Sequence, residues 1–184
     1  MRSMLLLAIT VGGAAQAQDS AAPLWQTGAD STLSFIGVQQ GAELEGRFES
    51  FDAQIRFAPE APAAGRFEVI VAIASIDTDY DDRDEALRGP EFFDVERWPE
   101  GRFVAERFTS AGGDAYEAEG ELTLRDRTLP LTVPFTFSAE GTDATLAGEV
   151  AISRLEFGIG QGEWTDTTYV GDEVIVRFHL DLQR

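Results

Sequence analysis

Four stretches in the second half of the chain alternate strictly between apolar and polar residues. They cover residues 116–124, 129–137, 144–152 and 174–182. Successive side chains of a β-strand point to opposite faces, so each stretch predicts a strand with one buried and one solvated face. The polar residues 125–128 between the first two stretches have the length of a hairpin loop. The pattern therefore predicts a run of antiparallel strands.

The first half of the chain shows the same periodicity in shorter pieces. The second of these pieces changes the parity of its apolar residues near Glu49 and Ser50, which predicts a β-bulge or a corner at that point. The predicted strands of this half cover residues 32–38, 43–57 and 67–73.

Residues 81–88 lack alternation and predict a short helix, which Asp81 or Asp82 caps at its N-terminus and Gly89-Pro90 ends. A further strand is predicted at residues 102–108. The helix therefore falls between the third and fourth predicted strands.

Two prolines interrupt the sixth predicted strand. Pro130 and Pro134 both occupy its outward face, and neither has a backbone N–H to donate. They predict an edge or a gap in the sheet beside this strand.

About eight strands with one helical insertion indicate an all-β fold. We expect an antiparallel, eight-stranded, lipocalin-like barrel, whose interior holds side chains or one slim ligand. A β-sandwich built from the same strands is the alternative fold.

The N-terminus has the pattern of a secretory signal peptide. Arg2 supplies a positive charge, residues 4–11 are apolar, and residues 15–17 offer a cleavage site between small residues. The apolar part is too short to span a bilayer. We expect a signal peptide at residues 1–17, one barrel domain at residues 18–184, and export to a bacterial periplasm.

Composition narrows the classes of function. The formal net charge of −19 disfavours nucleic-acid binding, and the absence of Cys excludes thiol chemistry. The single histidine, His179, has the parity of an outward residue and is poorly placed as a catalytic base. We therefore expect a protein that is not an enzyme.

The acidic run at residues 77–84 resembles a calcium loop only in part. Its sixth position is Asp82 where such a loop needs Gly, and its twelfth is Arg88 where it needs a bidentate Glu. We expect no metal site here, and interpret the acids as the solvated N-terminus of the predicted helix.

The apolar interior is the strongest candidate for a functional site. The chain has 13 Phe and 3 Trp, and side chains of the inward parity would suit a long hydrocarbon with few polar groups. The helical insertion would cover one end of the barrel with aromatic residues. The candidate lipid-binding residues are Phe35, Phe48, Phe92, Phe93, Trp98, Leu122, Leu124, Phe135, Phe137, Val176 and Phe178.

Several short motifs, in this order and spacing, resemble the YceI-like family of bacterial periplasmic proteins. They are Gly46-Arg47-Phe48, Ser75-Ile76-Asp77-Thr78, Arg83-Asp84, Phe92-Phe93-Asp94, Trp98-Pro99, Gly120-Glu121-Leu122-Thr123-Leu124 and Arg154-Leu155-Glu156-Phe157-Gly158. The resemblance extends over the whole chain after the signal peptide. Two positions depart from the family pattern: Asp30 and Glu85 stand where many members have His.

The resemblance implies a lipocalin-like barrel that binds or carries a polyisoprenoid or quinone-type lipid, with no other cofactor. The segment at residues 160–164 resembles a branch associated with cytochrome b-type membrane proteins. An alternative function stays open at this stage. The protein would then be a non-enzymatic accessory or stress-related protein with a packed barrel, acting with such a cytochrome.

Overall fold

The computed structural model describes residues 22–184, so the predicted signal peptide at residues 1–17 lies outside the described residues. Residues 22–184 form eleven strands and one α-helix. The elements are β1 (Leu24–Thr27), β2 (Thr32–Gln39), β3 (Ala42–Phe48), β4 (Phe51–Arg56), β5 (Arg66–Ala72), β6 (Ile76–Asp77), α1 (Asp81–Arg88), β7 (Glu100–Gly112), β8 (Ala115–Leu124), β9 (Arg127–Glu140), β10 (Asp143–Ser153) and β11 (Glu173–Gln183).

The strands form a closed antiparallel barrel. β3 and β4 act as one bent strand, because only Glu49 and Ser50 separate them and their backbone N–H groups donate to Ser75. Counted in this way, eight strands surround the barrel: β2, β3–β4, β5, β7, β8, β9, β10 and β11. The pairing of β11 with β2 closes the ring. The predicted eight-stranded barrel and the corner near Glu49 are confirmed.

Two short strands were not predicted. β1 pairs with both β4 and β11, and so links these two strands at one end of the barrel. β6 pairs with β3 at the other end. Elements of four and two residues are too short to display a period of two, so the alternation pattern does not reveal them.

The helix α1 has the predicted bounds, but its N-terminus differs from the prediction. Tyr80 is the N-cap residue, and no side chain caps the helix. Asp84 is not solvated: it is 5% exposed, and its carboxylate accepts hydrogen bonds from the backbone N–H and the hydroxyl of Thr78. The sequence predicted that the acids of this segment face water, but the Asp84 carboxylate is buried beside the Thr78 hydroxyl. No helix within residues 22–184 is long and apolar enough to cross a membrane.

The ladder between β9 and β10 is incomplete. It ends at the pair Thr136 and Ala147, and the following residues of β10 have no partner on β9. Pro130 and Pro134 lie along this unpaired stretch, so the predicted gap is confirmed. At its far end, the Arg127 guanidinium bridges the gap by donating to the carbonyl of Glu156 at 2.6 Å.

One end of the barrel is filled by aromatic rings. At their centre lies Phe57, which is 0% exposed and has five aromatic ring centroids within 5.0–5.9 Å of its own. The Trp25 indole N–H closes this end by donating to the Phe57 carbonyl at 3.0 Å. We call this group the aromatic plug; its members are Trp25, Phe57, Phe67, Phe108, Tyr116, Phe135 and Phe137.

Candidate ligand-binding cavity

The other half of the barrel interior encloses a cavity of about 240 Å³. The exposed fraction of the inward side chains along β11 shows where the barrel interior changes from packed to hollow. The inward residues Leu180 and Leu182 are 4% and 1% exposed, whereas Val174, Val176 and Phe178 are only half-buried although they also point inward. These side chains border empty space instead of neighbouring side chains.

Nine of the eleven residues that the sequence singled out line this cavity: Phe35, Phe48, Phe92, Phe93, Leu122, Leu124, Phe135, Val176 and Phe178. The other two lie elsewhere. Phe137 is 2% exposed within the aromatic plug, one inward step beyond the floor of the cavity. Trp98 lies in a turn, where strand parity does not apply, and the guanidinium carbons of Arg97 and Arg125 lie 4.4 and 4.6 Å from the centre of its ring.

Two glycines keep the cavity wall thin beneath large rings. A Cβ atom at Gly46 would lie 2.3 Å from the Phe35 ring, and one at Gly148 would lie 2.6 Å from the Phe178 ring. Each phenyl ring therefore lies over a glycine on the neighbouring strand. Because the rings lie close to the wall, they leave the centre of the barrel free.

The aromatic plug and the aliphatic side chains packed against it form the floor of the cavity. The floor residues are all less than 5% exposed, and each belongs both to the packed cluster and to the cavity lining. They are Ile55, Phe67, Phe135, Leu146 and Leu180. The cavity is thus blind at this end.

Two segments, residues 89–98 and residues 154–165, cover the opposite end; we call them the cap. They are joined by the packing of the Phe92 ring against the tilted Trp164 ring, with ring centroids 5.4 Å apart, and by a 2.7 Å hydrogen bond from the Trp164 indole N–H to the Glu91 carboxylate. Phe92 also packs against the apolar end of the barrel. The predicted covering of one end by the helical insertion agrees with this arrangement.

The side chain of Arg125 holds the cap in place. It is 9% exposed and donates to the carbonyls of Pro90, Phe92 and Gly158, which belong to both segments. Burial of the guanidinium lowers the pKa of Arg125. The sequence pattern placed this residue in a solvated hairpin loop, and nothing in the alternation indicated its burial.

Arg154 has a comparable role beside the cavity. It is 3% exposed, and its guanidinium donates to four carbonyls, those of Ile159, Trp164, Val170 and Gly171, at 2.6–2.8 Å. Burial lowers its pKa as well. One signal could have revealed this residue: it continues the inward parity of residues 144–152.

The wall offers a ligand almost nothing but hydrocarbon. Within residues 22–184, every buried side-chain nitrogen or oxygen has a hydrogen-bond partner, and Arg154 has its donors engaged by backbone carbonyls. His179 points outward, as predicted, with its ring nitrogen 3.6 Å from the Asp181 carboxylate. The described part of the chain also contains no cluster of three or more His, Asp or Glu suited to a metal ion.

The cavity lining reaches an exposed residue at the β2–β3 end of the barrel, from which we infer that the mouth lies at this end. Val38 is 39% exposed, more than any other apolar residue of the lining. The loop that precedes β11 is tied to the β2–β3 hairpin by two backbone hydrogen bonds, both 2.8 Å long. The Gly171 N–H donates to the Val38 carbonyl, and the Gln40 N–H donates to the Tyr169 carbonyl. Tyr169 is 58% exposed beside the mouth. Trp164, in contrast, belongs to the cap.

Solved structures share this architecture. BcnA of Burkholderia cenocepacia superposes with a TM-score of 0.81 and 35% identity, over 83% of this chain and 96% of that one. A polyisoprenoid binding domain from Saccharophagus degradans superposes with a TM-score of 0.71 and 13% identity, over 87% of this chain and 97% of that domain. That domain is implicated in plant cell wall breakdown.

Sequence comparison reaches the same family. A UPF0312 protein of Pseudomonas savastanoi pv. phaseolicola is 30% identical over 145 residues, which are 75% of this chain and 74% of the relative. A UPF0312 protein of Photorhabdus laumondii is 34% identical over 100 residues, which are 54% of this chain and 52% of that relative. The family model of the YceI-like domain matches residues 26–182. The chain, by its sequence and by its fold, belongs to the YceI-like family.

Proposed function

We propose that this protein binds the hydrocarbon chain of a polyisoprenoid or quinone-type lipid in its barrel. The observation that carries the proposal is the cavity of about 240 Å³, blind at the aromatic plug and lined almost wholly by apolar side chains. Pockets for drug-sized ligands have volumes of roughly 300–1,000 Å³, so this one suits a single slim chain. The polyisoprenoid binding domain of Saccharophagus degradans, which has the same fold, supports this ligand class.

The chemistry of the wall determines how such a lipid would be held. Each buried CH₂ contributes about 0.8 kcal/mol, and every buried side-chain nitrogen or oxygen within residues 22–184 already has a hydrogen-bond partner. The chain therefore lies inside and the polar head stays at the mouth, near Val38 and Tyr169. The proposed binding is non-enzymatic, which membership of the YceI-like family and the likeness to a polyisoprenoid binding domain support.

Export completes the proposal. The signal-peptide pattern at residues 1–17 supports a periplasmic location, where a protein that shields a prenyl chain from water would act as a lipid carrier. The resemblance of residues 160–164 to the cytochrome b-associated branch supports a membrane cytochrome as partner. The alternative function, that of an accessory protein with a packed barrel, requires a filled interior, and the cavity argues against it.

A pair of neighbouring tryptophan substitutions tests the binding site. Val176→Trp places an indole in the cavity, whereas Ile175→Trp places the same side chain on the outer face of the same strand. We expect calorimetric titration with geranylgeraniol to show one site in the natural protein and in Ile175→Trp, and at least tenfold weaker binding in Val176→Trp. Absence of binding to the natural protein, or equal binding by both variants, would contradict the proposal.

A further inference from the structure

The cavity occupies only part of the barrel, and its depth is set by side chains. Along β9, the inward residues Leu131, Val133 and Phe135 line the cavity, while Phe137, the next inward residue, does not. The Phe135 ring is 3% exposed, and ring centroids of the plug residues Phe57 and Phe67 lie 5.4 and 5.1 Å away. The floor is therefore a packed group of aromatic and aliphatic side chains and not a single side chain that could swing aside.

The available depth follows from strand geometry. On β11 the lining residues extend from Val174 to Leu180, six positions along the strand. Six positions span about 20 Å of strand. A typical barrel tilt leaves about 15 Å of that as depth. A longer prenyl chain has to leave its remaining units outside the mouth.

We propose that the aromatic plug selects ligands by chain length, with Phe135 as the residue that sets the limit. This inference rests on the proposed function. Isoprene units add affinity as long as they are buried between the mouth and Phe135, because their hydrocarbon leaves water. Units beyond this length stay exposed and add almost nothing. The lipid is thus recognised by the length of its chain and not by its head group, since every buried side-chain nitrogen or oxygen within residues 22–184 already has a hydrogen-bond partner.

The test measures affinity for one series of all-trans prenols, from geraniol through farnesol and geranylgeraniol to octaprenol. In the natural protein, Kd should fall about tenfold or more for each added unit and then reach a plateau. Phe135→Ala removes the floor and should move the plateau to longer prenols. Val133→Phe raises the floor, at a wall that borders empty space, and should move the plateau to shorter prenols.

A matched control separates depth from stability. Phe137→Ala removes an equally buried ring of the same plug that does not line the cavity, so the plateau should stay in place. The inference would be overturned if the plateau came at the same prenol length in both floor variants as in the natural protein, or if affinity increased through octaprenol. Either result would leave lipid binding intact. Failure of every prenol to bind would overturn the proposed function itself. Val133→Phe also keeps the test decisive if Phe135→Ala does not fold.

Discussion

At the scale of single residues, glycines determine how much of the barrel is empty. A Cβ at Gly46 would come within 2.3 Å of the Phe35 ring and 2.9 Å of the Thr78 methyl carbon, so its three nearest contacts are all with side-chain atoms. The Phe35 ring would have to move away from the wall toward the cavity. Gly37 also lines the cavity, yet a Cβ there would meet nothing within 4 Å.

This difference predicts opposite results for two similar substitutions. Gly46→Ala should weaken prenol binding by about tenfold, because the displaced ring takes space that ligand carbons would occupy. Gly37→Ala should leave the Kd within about twofold. Titration of both variants with farnesol checks the prediction, and equal affinities in the two would show that the Phe35 ring does not limit the cavity.

Arg154 predicts a large effect on stability. Arg154→Leu leaves one buried and three partly buried carbonyls without their donor, and an unpaired buried polar group costs about 1–3 kcal/mol. We expect the free energy of unfolding to fall by more than about 3 kcal/mol in urea denaturation. The control Arg177→Leu removes only an exposed pair with Glu149 and should cost less than about 1 kcal/mol. Similar losses in both would mean that the Arg154 hydrogen bonds contribute little.

Residue-level prediction succeeded where strand periodicity applied. Inward parity placed residues such as Leu122 and Val176 correctly on the cavity wall. It does not apply to Trp98 and Arg125, which lie outside the strands, where tertiary contacts alone decide the environment. Parity also cannot tell a wall position from a packed one, which is why Phe137 was included among the candidate residues.

At the scale of elements, the gap between β9 and β10 is the irregular part of the barrel wall. It lies beside the cavity, since Leu131, Val150 and Ile152 all line that space. The two prolines on β9 have no backbone N–H to donate to β10, so the missing hydrogen bonds could be predicted from the sequence. The short strands β1 and β6 were not readable, because their positions depend on partners far away along the chain.

Hydrogen exchange should detect this gap. Backbone amides of residues 149–153 that point toward β9 have no ladder partner, whereas residues 143–147 pair with β9. We expect the former to exchange at least tenfold faster in the ligand-free protein, measured by nuclear magnetic resonance. The amides of β10 that point toward β11 serve as the internal control, because that ladder is complete through Ser153. Uniform protection along β10 would show that the gap is closed in solution.

At the scale of the whole molecule, the barrel divides into a solid half and a hollow half. The aromatic plug supplies the packed core, and the cap, tied by Arg125, covers the other end. The hollow half leaves apolar side chains half-buried around empty space, and such an arrangement gains most when a hydrocarbon fills it. Alternation predicted the barrel, but the extent of filling depends on how individual side chains pack, which alternation does not specify.

The most direct test of lipid binding is native mass spectrometry of the protein purified from its own cells, with solvent extraction of any bound molecule. We predict one adduct for each protein chain that extracts as a prenyl-chain lipid. Val176→Trp, purified in the same way, should lose the adduct. An adduct-free mass for the natural protein, unchanged after incubation with quinones and polyprenols of several lengths, would contradict the account.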